Sequence, residues 1–152
     1  MKTILASVML VILSAQLHAQ TPEDSVKAVI NKFFAAMKDA DAAGMQACFA
    51  DSALLQTVVN KNGQVSVRSE ATKEFVAFVS KLAKGDADER ITFETVKSDG
   101  SLAIAWTPYN FFYKGQFSHC GTNSFQVINI NGQWKIQYII DTRKKVGCPE
   151  AK

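Results

Sequence analysis

The chain has 152 residues, 47% of them hydrophobic and 20% charged, with a formal net charge of +3. That composition suits one packed domain and excludes general disorder. With only 8 Gly and 3 Pro, it is neither collagenous nor low in complexity.

The N-terminal segment Met1–Ala19 reads as a signal peptide. Lys2 supplies the positive start, Ile4 to Leu13 an apolar stretch, and Leu17-His18-Ala19 a small-residue cleavage site. The apolar stretch is about half the ~20 residues a spanning helix takes. No Cys follows it, so a lipoprotein anchor is not indicated. The expectation is a secreted or periplasmic protein, cleaved near Ala19, with a single domain over residues 20–152 and no membrane span. Removing Lys2 from the 17 basic residues leaves 16 against 14 acidic ones, too weak a surplus for nucleic-acid binding. Arg143-Lys144-Lys145 reads as a solvated terminus.

Thr21-Pro22-Glu23-Asp24 opens a helix: Thr21 caps, Pro22 suits the first helical position, and the acids favour the positive helix end. Val26, Val29, Ile30, Phe33 and Met37 then form one apolar stripe. Asp41 caps a short second helix carrying Met45, Cys48 and Phe49. Ser69 is expected to cap a third, with Phe75, Phe78, Val79 and Leu82 on one side and Gly85 at its end. The rest reads as strands. Ala53–Val59 and Gln64–Arg68 flank Asn62-Gly63, and Ile91–Lys97 and Ser101–Tyr113 flank Asp99-Gly100. Gln116–Ile130 and Gln133–Asp141 flank Asn131-Gly132, and Lys114-Gly115 joins the two longest strands. Helices early and an antiparallel meander late argue an α+β fold.

Two-residue hairpins fix register. They predict an inner face of Phe93, Leu102, Ile104, Trp106, Pro108, Asn110, Phe112, Phe117, His119, Asn123, Phe125, Val127, Trp134, Ile136, Tyr138 and Ile140. Thr107, Ser118, Cys120, Thr122, Ser124, Gln126, Lys135, Gln137 and Asp141 fall outside. One β-bulge would flip everything beyond it. Trp106, Asn110, His119, Asn123 and Tyr138 interrupt the apolar inner face and cluster. They either satisfy one another as a structural network or line a ligand pocket.

Metal binding is not expected. His18 leaves with the leader, and His119 with three scattered cysteines matches no zinc spacing. Adjacent His119 and Cys120 are expected to point to opposite faces, which argues against a Cys–His nucleophile pair. His119 is the one candidate general base, with no inner carboxylate to orient it. Asp141 and Arg143 read as an ion pair closing the last strand.

The segments Val29-Ile30-Asn31-Lys32-Phe33-Phe34, Asp41-Ala42-Ala43-Gly44-Met45, Cys48-Phe49-Ala50-Asp51-Ser52-Ala53 and Asn131-Gly132-Gln133-Trp134-Lys135-Ile136 occur in an order that resembles the nuclear transport factor 2-like superfamily, the cystatin-like cone. His119-Cys120-Gly121-Thr122-Asn123-Ser124-Phe125 and Ile140-Asp141-Thr142-Arg143 resemble a secreted bacterial subgroup labelled uncharacterised or lumazine-binding. The resemblance covers nearly all of residues 20–152. It implies three helices on a strongly curved antiparallel sheet, an internal conical pocket, and frequent dimerisation through the sheet. It does not choose a function, because the superfamily includes isomerases, cyclases, dehydratases and binding modules. The isomerases' base falls near Thr57, with Gln56 beside it, and neither can accept a proton usefully.

The expected function is therefore a ligand-binding or association domain without cofactor, taking a small, partly apolar molecule. Trp106, Asn110, His119, Asn123 and Tyr138 are its ligand contacts. The alternative is a dehydratase, cyclase or isomerase-like enzyme with His119 as base and Tyr138 or Asn123 as oxyanion donors. Tyr109, Phe111, Tyr113, Ile128 and Ile139 are expected to form an outer homodimer patch. Of the three cysteines, Cys48 reads as a buried hydrophobe. Cys120 and Cys148 either form a disulfide pinning the tail or, with Cys48, remain free thiols.

Overall fold

The computed structural model describes residues 21–148. The leader lies outside them. Helix α1 (Pro22–Lys38) begins as its sequence dictates, with Thr21 Oγ1 accepting from the Asp24 N–H at 3.1 Å. Helix α2 (Ala42–Gln46) is capped by Asp41, whose carboxylate accepts from the Gly44 N–H at 2.9 Å.

Strands β1 (Phe49–Lys61) and β2 (Gln64–Ala71) form a hairpin over Asn62-Gly63, both at positive φ as such a turn requires. Ser69 does not cap the third helix. It lies in the β1–β2 ladder opposite Gln56, where its hydroxyl accepts from Gln56 Nε2 at 3.0 Å. Helix α3 (Thr72–Val79) starts after it and ends well before Gly85. The expected strand Ile91–Lys97 is two: β3 (Ala87–Ile91) and β4 (Thr95–Asp99), which pair with different halves of β5 (Leu102–Tyr113). Strands β6 (Gln116–Ile130) and β7 (Gln133–Thr142) complete the sheet.

The architecture is α+β, with a seven-stranded sheet in the order β2-β1-β7-β6-β5-β3 and β4 also on β5. The sheet is mixed, not antiparallel throughout, because β1 runs parallel to β7. Val26, Ile30, Phe33, Phe34 and Met37 of α1 pack against Ala103, Ala105, Phe125, Val127, Ile136 and Ile139. Each large side chain buried this way contributes about 2 kcal/mol.

Two bulges correct the expected inner face. The Lys114-Gly115 hairpin pairs Phe112 with Phe117 as expected, but Phe111 then pairs with His119, leaving Ser118 as an extra residue. Beyond it Thr107, not Trp106, lies beside Asn123. Between β6 and β7, Val127 pairs with Ile136 but Gln126 with Tyr138, leaving Gln137 extra. Beyond it Ile139, not Tyr138, lies beside Phe125. Ala103, Ala105, Thr107 and Tyr109 therefore face the helices, while Leu102, Ile104 and Trp106 are exposed. The expected dimer patch fails for the same reason. Tyr109 and Ile139 are buried, and Phe111 packs against the core.

Candidate functional site

Strand pairing brings a polar row onto the inner face. Arg68 of β2 is beside Thr57 of β1, Thr57 beside Asp141 of β7, Asp141 beside Asn123 of β6, and Asn123 beside Thr107 of β5. Thr57, Asp141, Asn123 and Thr107 are all buried. The next row toward the core is Leu55, Ile139, Phe125 and Ala105, which is wholly apolar. Above the boundary between the rows lie Phe33, Phe34 and Met37 of α1 and Phe75 of α3. Phe34 meets Phe125 edge-on at 6.0 Å, and Phe33 lies 6.3 Å from Phe75. The space between is a chamber of about 70 Å³. It shares Met37, Glu70, Phe75, Glu89 and Arg143 with a wider groove of about 440 Å³ that includes His119. The groove falls within the ~300–1,000 Å³ typical of small-molecule sites.

The polar end is organised around two carboxyl groups. Glu89 enters from β3, and Asn123 Nδ2 donates to its Oε1 at 2.8 Å. The same amide lies 3.4 Å from Thr107 Oγ1. Glu89 retains some accessible surface because it lines the cavity, but its carboxyl group sits deep among protein atoms. Burial pushes its pKa up to about 8; the Asn123 hydrogen bond opposes this, Asp141 reinforces it and Arg143 opposes it. Asp141 is tied differently. Its Oδ2 accepts from Arg143 Nε at 2.8 Å and from the Tyr109 hydroxyl at 3.0 Å. Burial works against the Arg143 charge, but Asp141 more than offsets it, so the arginine pKa is raised. Burial, with Glu89 and Asp141 nearby, raises the Tyr109 pKa and keeps its hydroxyl a donor.

Of the sequence-derived contacts, Asn123 lies at the centre of this site. His119 lines the groove, half-buried between the rings of Phe111 (5.0 Å) and Tyr109 (5.7 Å), with Nδ1 3.1 Å from Ser118 Oγ. Burial and the nearby Arg143 lower its pKa, which favours the neutral ring. Trp106, Asn110 and Tyr138 are on the other face. Trp106 is 48% exposed, Asn110 is buried beside Cys120 in register, and the Tyr138 hydroxyl donates to Gln56 Oε1 at 2.5 Å. The expectation that the inner face lacks a carboxylate is overturned by Asp141 and Glu89. Thr57, the position aligned with the isomerases' base, does line the chamber. Glu89 was missed because Ala87–Ile91 carries no apolar alternation. In the structure the Asp88 carboxylate is met by Lys38 and Arg90, both at 3.1 Å, and Glu89 alternates to the other face of the strand.

Past β7 the chain turns back over β6. Lys144 and Cys120 exchange backbone hydrogen bonds of 2.8 and 2.9 Å, and Cys120 is disulfide-bonded to Cys148 with Cα atoms 5.8 Å apart. Arg143 thus walls both chamber and groove from an anchored segment. Cys48 is free and buried. Among the described residues, no group of three or more His, Cys, Asp or Glu could hold a metal ion, and no helix is long and apolar enough to cross a membrane.

The architecture recurs in solved structures. An NTF2-like protein of unknown function from Shewanella baltica is 15% identical, with a TM-score of 0.64 over 79% of this chain and 91% of that one. A domain of unknown function with a cystatin-like fold from Nostoc punctiforme is 19% identical, with a TM-score of 0.62 over 82% and 78%. An NTF2-like protein with a cystatin-like fold from Novosphingobium aromaticivorans is 11% identical, with a TM-score of 0.63 over 82% of each chain. These likenesses establish the fold alone. No curated protein matches the chain. A family model described as "Putative lumazine-binding" matches residues 21–138, most of the chain, which therefore belongs to that family within the NTF2-like, cystatin-like fold.

Proposed function

We propose that the protein is an exported binding domain whose conical pocket takes a small, flat, partly apolar heterocycle of the lumazine type. The observation that carries this reading is the juxtaposition of Phe33, Phe34, Phe75 and Phe125 with a polar end built from Asn123, Asp141 and, from β3, Glu89. Aromatic walls cover the faces of a flat ring, and a few fixed polar groups meet its edge. Export is supported by the leader-like N-terminus and by the Cys120–Cys148 bridge, since such bonds persist in oxidising compartments. The exposed Leu102, Ile104 and Trp106 offer a homodimer face in place of the one expected from sequence.

Calorimetric titration of the purified protein with lumazine tests the reading. Saturable one-site binding that Phe34→Ala weakens is the expected result. Absence of heat, together with no small molecule co-purifying in native mass spectrometry, would reject it.

One observation favours a catalytic second reading. A buried carboxyl group at the cavity wall, its pKa pushed up to about 8 by burial, suits proton transfer near neutral pH. Under that reading the acid–base residue is Glu89 and not His119. Recovery of every bound ligand chemically unchanged counts against it.

A further inference from the structure

Of the three carboxyl groups that line the chamber, Asp141 and Glu89 lie at its polar end with Asn123 and Glu70 comes from β2; the two at the polar end are not equivalent. Asp141 is occupied by Arg143 and Tyr109. Glu89 has Asn123 on Oε1. Among the described residues, no buried side-chain nitrogen or oxygen is left without a partner, and Glu89 lines both the chamber and the groove. An oxygen of Glu89 without a protein partner therefore faces the cavity, and Oε1 keeps a second lone pair beside it, so the whole carboxyl edge is open to a ligand.

Resting on the lumazine-type reading, we propose that the ligand carries a cis-amide edge, a lactam or imide within its ring, and that Glu89 pairs with that edge through two parallel hydrogen bonds. A neutral carboxylic acid places one O–H donor and one carbonyl acceptor side by side. A cyclic amide presents the complementary carbonyl and N–H at the same spacing. The acid donates to the ring carbonyl and accepts from the ring N–H. Asn123 holds the carboxyl in plane from the far side, and the phenylalanine walls fix the ring in that plane.

The surroundings favour the neutral acid. Burial disfavours the carboxylate, and Asp141 of β7 adds like charge, while Arg143 on the tail opposes both. Tyr109 of β5 and His119 of β6 are uncharged neighbours, given the directions of their shifts. On β2, Glu70 lines both the chamber and the groove, and Arg68, opposite in sign, lines the groove. On β3 itself, Asp88 and Arg90 compensate each other, with Lys38 of α1 also on Asp88.

The test is calorimetric titration with lumazine and with 1,3-dimethyllumazine, which has no ring N–H to offer. The expected result is a preference for lumazine of about tenfold or more in wild type. Glu89→Gln keeps it, because a primary amide also places donor and acceptor side by side; Glu89→Ala loses it. Between about pH 6 and about pH 9, wild-type affinity for lumazine should fall relative to that of Glu89→Gln. Ionisation of the ligand itself is common to both proteins and cancels in that ratio. Equal affinity of wild type for the two probes, or a preference that survives Glu89→Ala, would overturn the pairing while leaving the functional reading standing. Failure of wild type to bind lumazine at all would overturn both.

Discussion

Gly121 lies directly beneath the carbonyl of Thr142: a Cβ built on the glycine would sit 1.7 Å from that oxygen and 3.0 Å from Tyr109 Cε1. The glycine is required here for closeness of approach. The approach lets Tyr109 donate to Thr142 O at 3.0 Å while also holding Asp141. Gly121→Ala must displace the end of β7 or the tyrosine ring, at a cost of about 2–4 kcal/mol. Urea denaturation checks this. A midpoint equal to wild type would show that the segment moves aside freely.

What was legible in the sequence was local. Caps at Thr21 and Asp41 and the Asn62-Gly63 and Asn131-Gly132 hairpins are set by side chains adjacent in the chain, and the structure has them. The inner face depended on register carried across long strands. Ser118 and Gln137 each insert one residue into a ladder, and nothing in either side chain announces a bulge. Asn123 kept its face because the β6 alternation is intact around it. Trp106 and Tyr138 lost theirs because each lies beyond a bulge. Ala103 and Ala105 looked less core-like than Leu102 and Ile104, yet α1 packs closely enough to select the smaller pair.

Glu89 makes stability depend on pH. Its pKa is about 8 when folded, against an ordinary value of 4.5, so the folded protein holds a proton that the unfolded chain releases. Its contribution is complete below about pH 4.5 and is lost as pH rises through about 8. The loss is on the order of 3 kcal/mol, after allowing for solvent that reaches the cavity. Melting temperatures across that range should fall in wild type and fall less in Glu89→Gln. Parallel profiles for the two proteins would show that the carboxyl titrates normally.

Trp106 is 48% exposed on a face it shares with Leu102 and Ile104. If that face joins two copies, sedimentation at micromolar concentration gives a dimer for wild type and a monomer for Trp106→Glu. The substitution should leave the melting temperature of the monomer nearly unchanged, since surface changes typically stay within about 0.5 kcal/mol. A wild-type monomer at that concentration removes the interface.

Cys148 holds the tail to Cys120 across a separation of 28 residues. Closing a loop of that length stabilises the fold by about 3.5 kcal/mol through the entropy of the unfolded chain. Cys148→Ser should therefore lower the melting temperature by roughly 10 °C in a protein of this size. The local effect should be larger than the global one. The Lys144 N–H donates to Cys120 O at 2.8 Å, next to Arg143, whose Nε donates to Asp141. Without the bridge, those short-range bonds alone hold the segment that walls the chamber. Hydrogen exchange at Lys144 should accelerate by more than the global destabilisation accounts for, while exchange at Phe125 tracks global unfolding. Equal acceleration at both sites would mean that the tail and sheet open as one unit, and that the disulfide acts on overall stability without a separate role in holding Arg143 over the pocket.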